Sequence, residues 1–128
     1  MSAMSDYFEL KFLDHFTGRA STSAPSAVYV GLSTGAFNDD NSGTELTGNN
    51  YTRKAVTFAA ASSGSISSNA AVEFDAATGS WGSVSHFGIF DAASSGNLLF
   101  HGAFTSAKTI SSGDILKIAS GQLTITAA

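Results

Sequence analysis

The stretch Trp81-Gly82-Ser83-Val84-Ser85-His86-Phe87-Gly88-Ile89-Phe90-Asp91, followed closely by Gly96-Asn97-Leu98-Leu99-Phe100-His101-Gly102-Ala103-Phe104, decides the fold. Apolar residues alternate with small ones through both halves, the period of a half-buried strand, and the Gly and Asn between them bend the chain back. Two paired strands joined by a short turn are expected. The stretch holds no nucleophile beside a base, no metal-ligand spacing and no phosphate loop, so its pattern is that of a scaffold.

Working outward, the same period recurs at residues 27–32, 51–60, 70–74, 114–118 and 122–126, with turn residues between the runs. Ser62 to Ser65 reads as a turn, and Ser120-Gly121 reads as a tight hairpin turn joining the last two strands. The fold class is therefore mainly β, a β-sandwich of about seven antiparallel strands with one N-terminal α-helix. The whole of 1–128 reads as a single domain. Residues 35–50 form a long polar loop rich in Asn, Asp, Ser and Gly, with too little apolar content to fold by itself, and are expected at the surface.

The helix is expected over residues 5–17. Asp6 is placed to cap it, Glu9 three residues later reaches back as in a capping box, and Gly18 stops it. Phe8, Phe12 and Phe16 follow one another at i, i+4 spacing and Leu13 widens the stripe, while Lys11 and Asp14 fall on the far side. These four apolar residues form a candidate packing or assembly face. They are expected to pack on the protein's own sheet, with docking onto a neighbouring subunit as the second reading.

Composition limits the partners. Charged residues make up only 12% of the chain against 43% hydrophobic, well under the roughly 25% charged fraction of ordinary soluble proteins. A surface built from Ser, Thr, Gly, Ala and Asn repels copies of itself weakly, which favours life in an assembly. A net charge of −4 with six scattered Lys and Arg argues against nucleic acid as a partner. No apolar run is long enough to span a bilayer, and no signal peptide is expected at the N-terminus. With no cysteine, disulfides, thiolate metal sites and Cys catalysis are excluded together.

Candidates for chemistry are few. His15, His86 and His101 lack the local spacing of a zinc motif, although His86 and His101 are placed to meet across the hairpin. Asn38-Asp39-Asp40-Asn41-Ser42-Gly43 carries oxygen ligands at alternate positions, but Asn stands at 38 where a calcium loop wants Asp, and at 49 where it wants Glu. A solvated turn is the better reading. No serine sits in a Gly-x-Ser-x-Gly elbow, and Glu45, Glu73, Asp75, Asp91 and Asp114 have no local context that would set one carboxylate's pKa against another. Trp81 reads as a core plug or edge cover, with a sugar-stacking platform shared with Tyr29 and Tyr51 as the lesser reading. No catalytic residue, metal or cofactor is expected, and the protein is not expected to be an enzyme.

With the strands placed, the chain resembles a family of small virion proteins of tailed bacteriophages, commonly labelled tail fibre proteins. The resemblance runs through Ser5-Asp6-Tyr7-Phe8-Glu9 to Leu13-Asp14-His15, Val28-Tyr29-Val30-Gly31-Leu32-Ser33-Thr34, Gly43-Thr44-Glu45-Leu46, and Tyr51-Thr52-Arg53-Lys54-Ala55-Val56-Thr57-Phe58. It continues through Trp81 to Asp91, its most specific part, and ends at Lys108-Thr109-Ile110 with Gly113-Asp114. It implies a virion structural protein, made in the host cytoplasm, that binds itself, expected as a homotrimer, and binds other capsid or tail proteins. The chain lacks the long repetitive shaft of a fibre. Decoration or cementing of the capsid surface is therefore the first expectation, and a tail fibre or tail-tip protein contributing to host-surface recognition is the alternative.

Overall fold

The computed structural model describes residues 2–126; of the span read as one domain, positions 1, 127 and 128 lie outside the described residues. Along the chain run β1 (Ser2–Met4), α1 (Asp6–Phe16), β2 (Val28–Ser33), β3 (Lys54–Val56), β4 (Ser65–Ser67), β5 (Val72–Glu73), β6 (Gly82–Phe90), β7 (Leu98–Ile110), β8 (Lys117–Ile118) and β9 (Thr124–Thr126). The fold is mainly β with a single helix, as expected. The described strands number nine, β1 and β4 being the additions. Residues 51–60 supply only the three-residue β3 and an isolated bridge between Phe58 and Ser68.

Five strands form one antiparallel sheet in the order β1-β7-β6-β2-β3, and β4-β9 and β5-β8 form two small ladders. Strand alternation sends Val30 and Leu32 of β2 and Phe87 and Ile89 of β6 to one face of the large sheet. There they join Val72, Phe74, Leu116, Ile118, Leu123 and Ile125 from the small ladders and their flanks in one buried cluster. Two layers thus close over a common core. The Ser120-Gly121 turn forms, with the Gln122 N–H donating to the Ala119 carbonyl at 3.0 Å. It does not make a hairpin, because β8 pairs with β5 while β9 pairs with β4.

The β6–β7 hairpin is closed by side chains as well as backbone. Asp91 accepts from the Asn97 backbone N–H at 2.7 Å and from its amide at 3.0 Å. Further along, Ser85 faces the run 104–107, because the pairing His86 with Ala103 gives way to Val84 with Lys108. This bulge bends β7, and β1 covers only Phe100 to Gly102 of its outer edge. A bulge and a lysine on an open edge both oppose pairing with a foreign strand.

The other face of the sheet is not left to solvent. The long loop folds over it and buries Phe37, which joins Phe90 and Leu98 in a second small core, its ring 5.7 Å from that of Phe90. Two strand glycines make room. Gly31 and Gly88 are direct cross-strand partners; a Cβ on Gly31 would come within 2.8 Å of both Glu45 and Phe90, and one on Gly88 within 2.9 Å of Leu98 and Phe90. The loop is a surface segment with a buried anchor, and the strand beneath it is shaped to receive that anchor.

Replacing Gly88 with Ala forces Leu98 and Phe90 to give way, and overpacking of this kind costs about 1–3 kcal/mol. Urea denaturation should show a lower midpoint for Gly88→Ala with an unchanged slope; a midpoint equal to wild type would mean that Phe90 and Leu98 do not close over Gly88.

Candidate assembly surface

Helix α1 spans Asp6–Phe16, within the bounds the sequence suggests, but its cap differs. Ser5, not Asp6, is the N-cap: its hydroxyl accepts from the Phe8 N–H at 3.2 Å and donates to the Leu98 carbonyl. A hydroxyl can do both at once, which a carboxylate cannot. The Ser5 N–H also donates to Leu99 O and the Asp6 N–H to Asp39 O, each at 2.8 Å. The helix start is thereby bonded to β7 and to the long loop. At the other end, Gly18, at φ 78°, follows the Thr17 cap.

Beyond its start, the helix rests lightly on the body. Phe8 packs edge-on against Phe100 at 5.0 Å between ring centres, yet no residue of α1 is buried. Phe12 is 40% exposed, Leu13 57%, Phe16 72% and Leu10 65%. Of the four residues read as a packing or assembly face, Phe8 meets the protein's own sheet and the other three face outward. Lys11 does not sit opposite them as the sequence suggested: it lines the same groove as Phe8 and Phe12. Leu10 was missed because it lies off the Phe8-Phe12-Phe16 stripe. A leucine standing off the stripe between the charged Glu9 and Lys11 was the signal that could have found it.

The residues weighed for chemistry are placed apart and put to structural use. His86 hydrogen-bonds through Nδ1 to Ser85 at 2.7 Å, His101 Nε2 lies 2.6 Å from Asp39, and His15 Nδ1 accepts from the Thr22 N–H at 3.3 Å. His86 and His101 are not cross-strand partners; they pair with Ala103 and Gly88. Asp75 binds Lys54 at 2.9 Å, Asp114 accepts from the Ser111 N–H at 2.8 Å, and Glu73 stands opposite Lys117. In the 38–43 segment, Asp40 accepts from the Ser42 N–H at 3.0 Å; the Ser42 side chain first and this backbone bond second lower its pKa, and Asn38 donates to Ser42 Oγ at 2.9 Å. This is an Asx turn. Among the described residues no three His, Asp or Glu converge as a metal site.

Trp81 is a core plug, 5% exposed, with its indole N–H donating to Asn49 O at 3.0 Å and its ring edge-on to Tyr51 at 5.6 Å. Neither ring offers a stacking platform at the surface.

One group of residues escaped the sequence reading altogether. Arg53 is buried across the hairpin: Nε and Nη2 donate to the two Glu45 oxygens at 2.9 and 2.8 Å, and Nη1 donates to Ala92 O and Ser95 O at 2.9 and 2.8 Å. Its guanidinium lies 3.6 Å from the centre of the Phe90 ring. Glu45 also accepts from the Tyr51 hydroxyl, which in turn accepts from the Leu32 N–H at 2.9 Å. Burial raises the Tyr51 phenol well above its ordinary value, and the bond to Glu45 and its negative charge push the same way. Glu45 and Arg53 are eight residues apart in a loop, so no periodicity links them. The strand glycines were the available signal, because a lone Gly in a strand often marks a close approach.

A family model described as "Podophage GP4 fiber I protein gp80" matches residues 3–126, nearly the whole chain. No curated protein sequence matches it.

The Tyr51 network sets an alkaline limit. Above about pH 10 the phenol ionises in the unfolded chain but keeps its proton in the native one, so stability present below that pH is lost as pH rises, at up to about 1.4 kcal/mol per pH unit. Tyr51→Phe should be about 1–3 kcal/mol less stable at neutral pH, because the Leu32 N–H loses its acceptor, and its stability should fall less steeply above pH 10. Denaturation curves at pH 8 and 11 read both effects, and parallel pH slopes would show that Tyr51 ionises freely in the native state.

Proposed function

The chain belongs to the family of podophage GP4 fiber I protein gp80, and we propose that it is a non-enzymatic building block of the fibre apparatus of a tailed phage. Its work is binding: it holds to itself and to other virion proteins by burying apolar surface. The observation that carries this reading is α1, an eleven-residue helix bonded firmly at its start and bearing four large apolar side chains at least 40% exposed, Leu10, Phe12, Leu13 and Phe16. Free surface of this kind marks an interaction site, at about 25 cal/mol per Å² buried before association costs are subtracted.

The family name favours a fibre over decoration of the capsid, which the sequence alone had put first. Decoration remains the second reading, supported by the short chain and its compact two-layer body. A homotrimer is part of the proposal, since an assembly surface needs a partner and a further copy is the nearest one. Contact with a host surface would fall to the exposed polar turn at 38–42, because Tyr51 and Trp81 are turned inward.

Copy number separates the readings. Quantitative mass spectrometry of separated heads and tails should find the chain with tails, at a few copies per particle. Hundreds of copies on tail-free heads would instead make it a decorating subunit, and absence from particles would end the structural reading.

A further inference from the structure

Two segments from distant parts of the chain meet at Leu98. One is the N-terminal arm, β1 with α1; the other is the first part of the long loop, residues 36–43. Leu98 serves both, since its carbonyl accepts from the Ser5 hydroxyl and its side chain is buried with Phe37 of the loop and Phe90. Asp39 ties the two segments to each other and to the sheet. Its carbonyl accepts from the Asp6 N–H at 2.8 Å, and its carboxylate lies 2.6 Å from His101 Nε2 on β7. Each segment is otherwise lightly held. β1 pairs with three residues of β7, no residue of α1 is buried, and the bonds donated by Thr17, Gly18, Arg19, Ala20 and Thr22 run back into the helix. The loop is fixed from Thr44 onward, by the Ser33 hydroxyl on Thr44 O, the Leu46 N–H on Leu32 O and Arg53 on Glu45. Before that point the bonds of Asn38, Asn41 and Ser42 stay within the turn, so Phe37 and Asp39 are its holds on the body.

We propose that the arm and residues 36–43 form one latch, which leaves the body and closes on it again as a unit while the sheet beneath stays folded. Local opening of a contiguous unit on a folded body needs few buried contacts and bonds that water can replace. Both conditions hold here. The main core cluster takes none of its described residues from either segment. Between the segments runs a cavity of about 390 Å³ lined by Ser5, Asp6 and Tyr7 of the arm and by Asp39, Asp40 and Asn41 of the loop, so hydrogen bonds bridge the seam more than packing does. Ser5 is 1% exposed where arm, loop and β7 meet. Lifting the loop bares Leu98 and admits water to the Ser5 bond, which weakens it; lifting the arm takes the Asp6 donor from Asp39 and bares the same leucine. The coupling does not rest on the fibre reading. Within that reading it joins the turn assigned to host contact to the helix assigned to assembly, so that engagement of one shifts the equilibrium of the other.

Amide hydrogen exchange in the full chain, read residue by residue, tests the latch from the loop side. Phe37→Ala removes the loop's anchor, and exchange at the Ser5 and Asp6 amides should become several-fold faster, with both still less protected than the amides of β6. Should that variant not fold, Asp39→Ala, which loses the His101 bond at a half-exposed site, carries the same test. The absence of cysteine allows the converse from the arm side: the thiol of Phe37→Cys should be labelled several-fold faster once Ser5→Ala is added. Unchanged exchange at Ser5 and Asp6, or unchanged labelling, would show that arm and loop open independently and overturn the proposal. Protection at Ser5 and Asp6 equal to that of β6 would overturn it too, because the chain would then open only by unfolding as a whole. None of these outcomes bears on where the chain sits in the particle, which copy number decides separately.

Discussion

Arg53 is the point on which the outer half of the molecule depends. Its guanidinium has donors in a fixed plane, and the structure spends them on Glu45 within the long loop and on two carbonyls of the β6–β7 turn, while its flat face lies on Phe90. A buried ion pair adds little net stability by itself, because desolvation offsets most of the attraction. What it supplies here is geometry. The loop must return to the sheet at one place for Glu45 to meet both Arg53 and Tyr51. With the loop in place, Phe37 is buried beside Phe90 and Leu98, and Asp39 is brought to His101 and to the first turn of α1. Among the described residues no buried side-chain polar atom is left without a partner.

The pattern of local apolar spacing exposed some of this and hid the rest. The β6–β7 hairpin and the helix boundaries were legible because each is specified by residues close in sequence: period-two alternation in one case, four-residue spacing ended by a glycine in the other. Trp81 was legible as a core residue for its size. The pairings β4 with β9 and β5 with β8 were not, because two- and three-residue strands carry no readable period and their partners lie far along the chain. Ser5 was obscured by Asp6, which alone has Glu9 at the capping-box spacing; the choice is made by Leu98, whose carbonyl takes a donor that the serine hydroxyl offers.

The exposed apolar face of α1 was half legible. Spacing alone picked out Phe8, Phe12, Leu13 and Phe16 but could not say whether a given ring would meet its own sheet or the outside. That depends on how the helix is tethered. Three short bonds at its start fix α1 to β7 and to the loop, and only Phe8 then reaches Phe100. A helix fastened at one end and wetted along its length is a poor contributor to the core, and its apolar residues are free to serve contacts between molecules. The fold is self-sufficient in the sheet and unfinished at the helix.

The pairing of β1 with β7 has a consequence for the order in which the molecule can be made. Ser2 to Met4 find their partners at Phe100 to Gly102, so the first strand of the chain waits until most of the rest has left the ribosome. The bonds from Ser5 to Leu98 and Leu99 wait with it, although its cap to Phe8 is local. Closing contacts across such separations is slow compared with forming a local hairpin or helix, so α1 can form early with its local cap but is fastened to the body only once β7 exists. Until then its four charged residues, Asp6, Glu9, Lys11 and Asp14, are what oppose association through the exposed apolar side chains of the same helix.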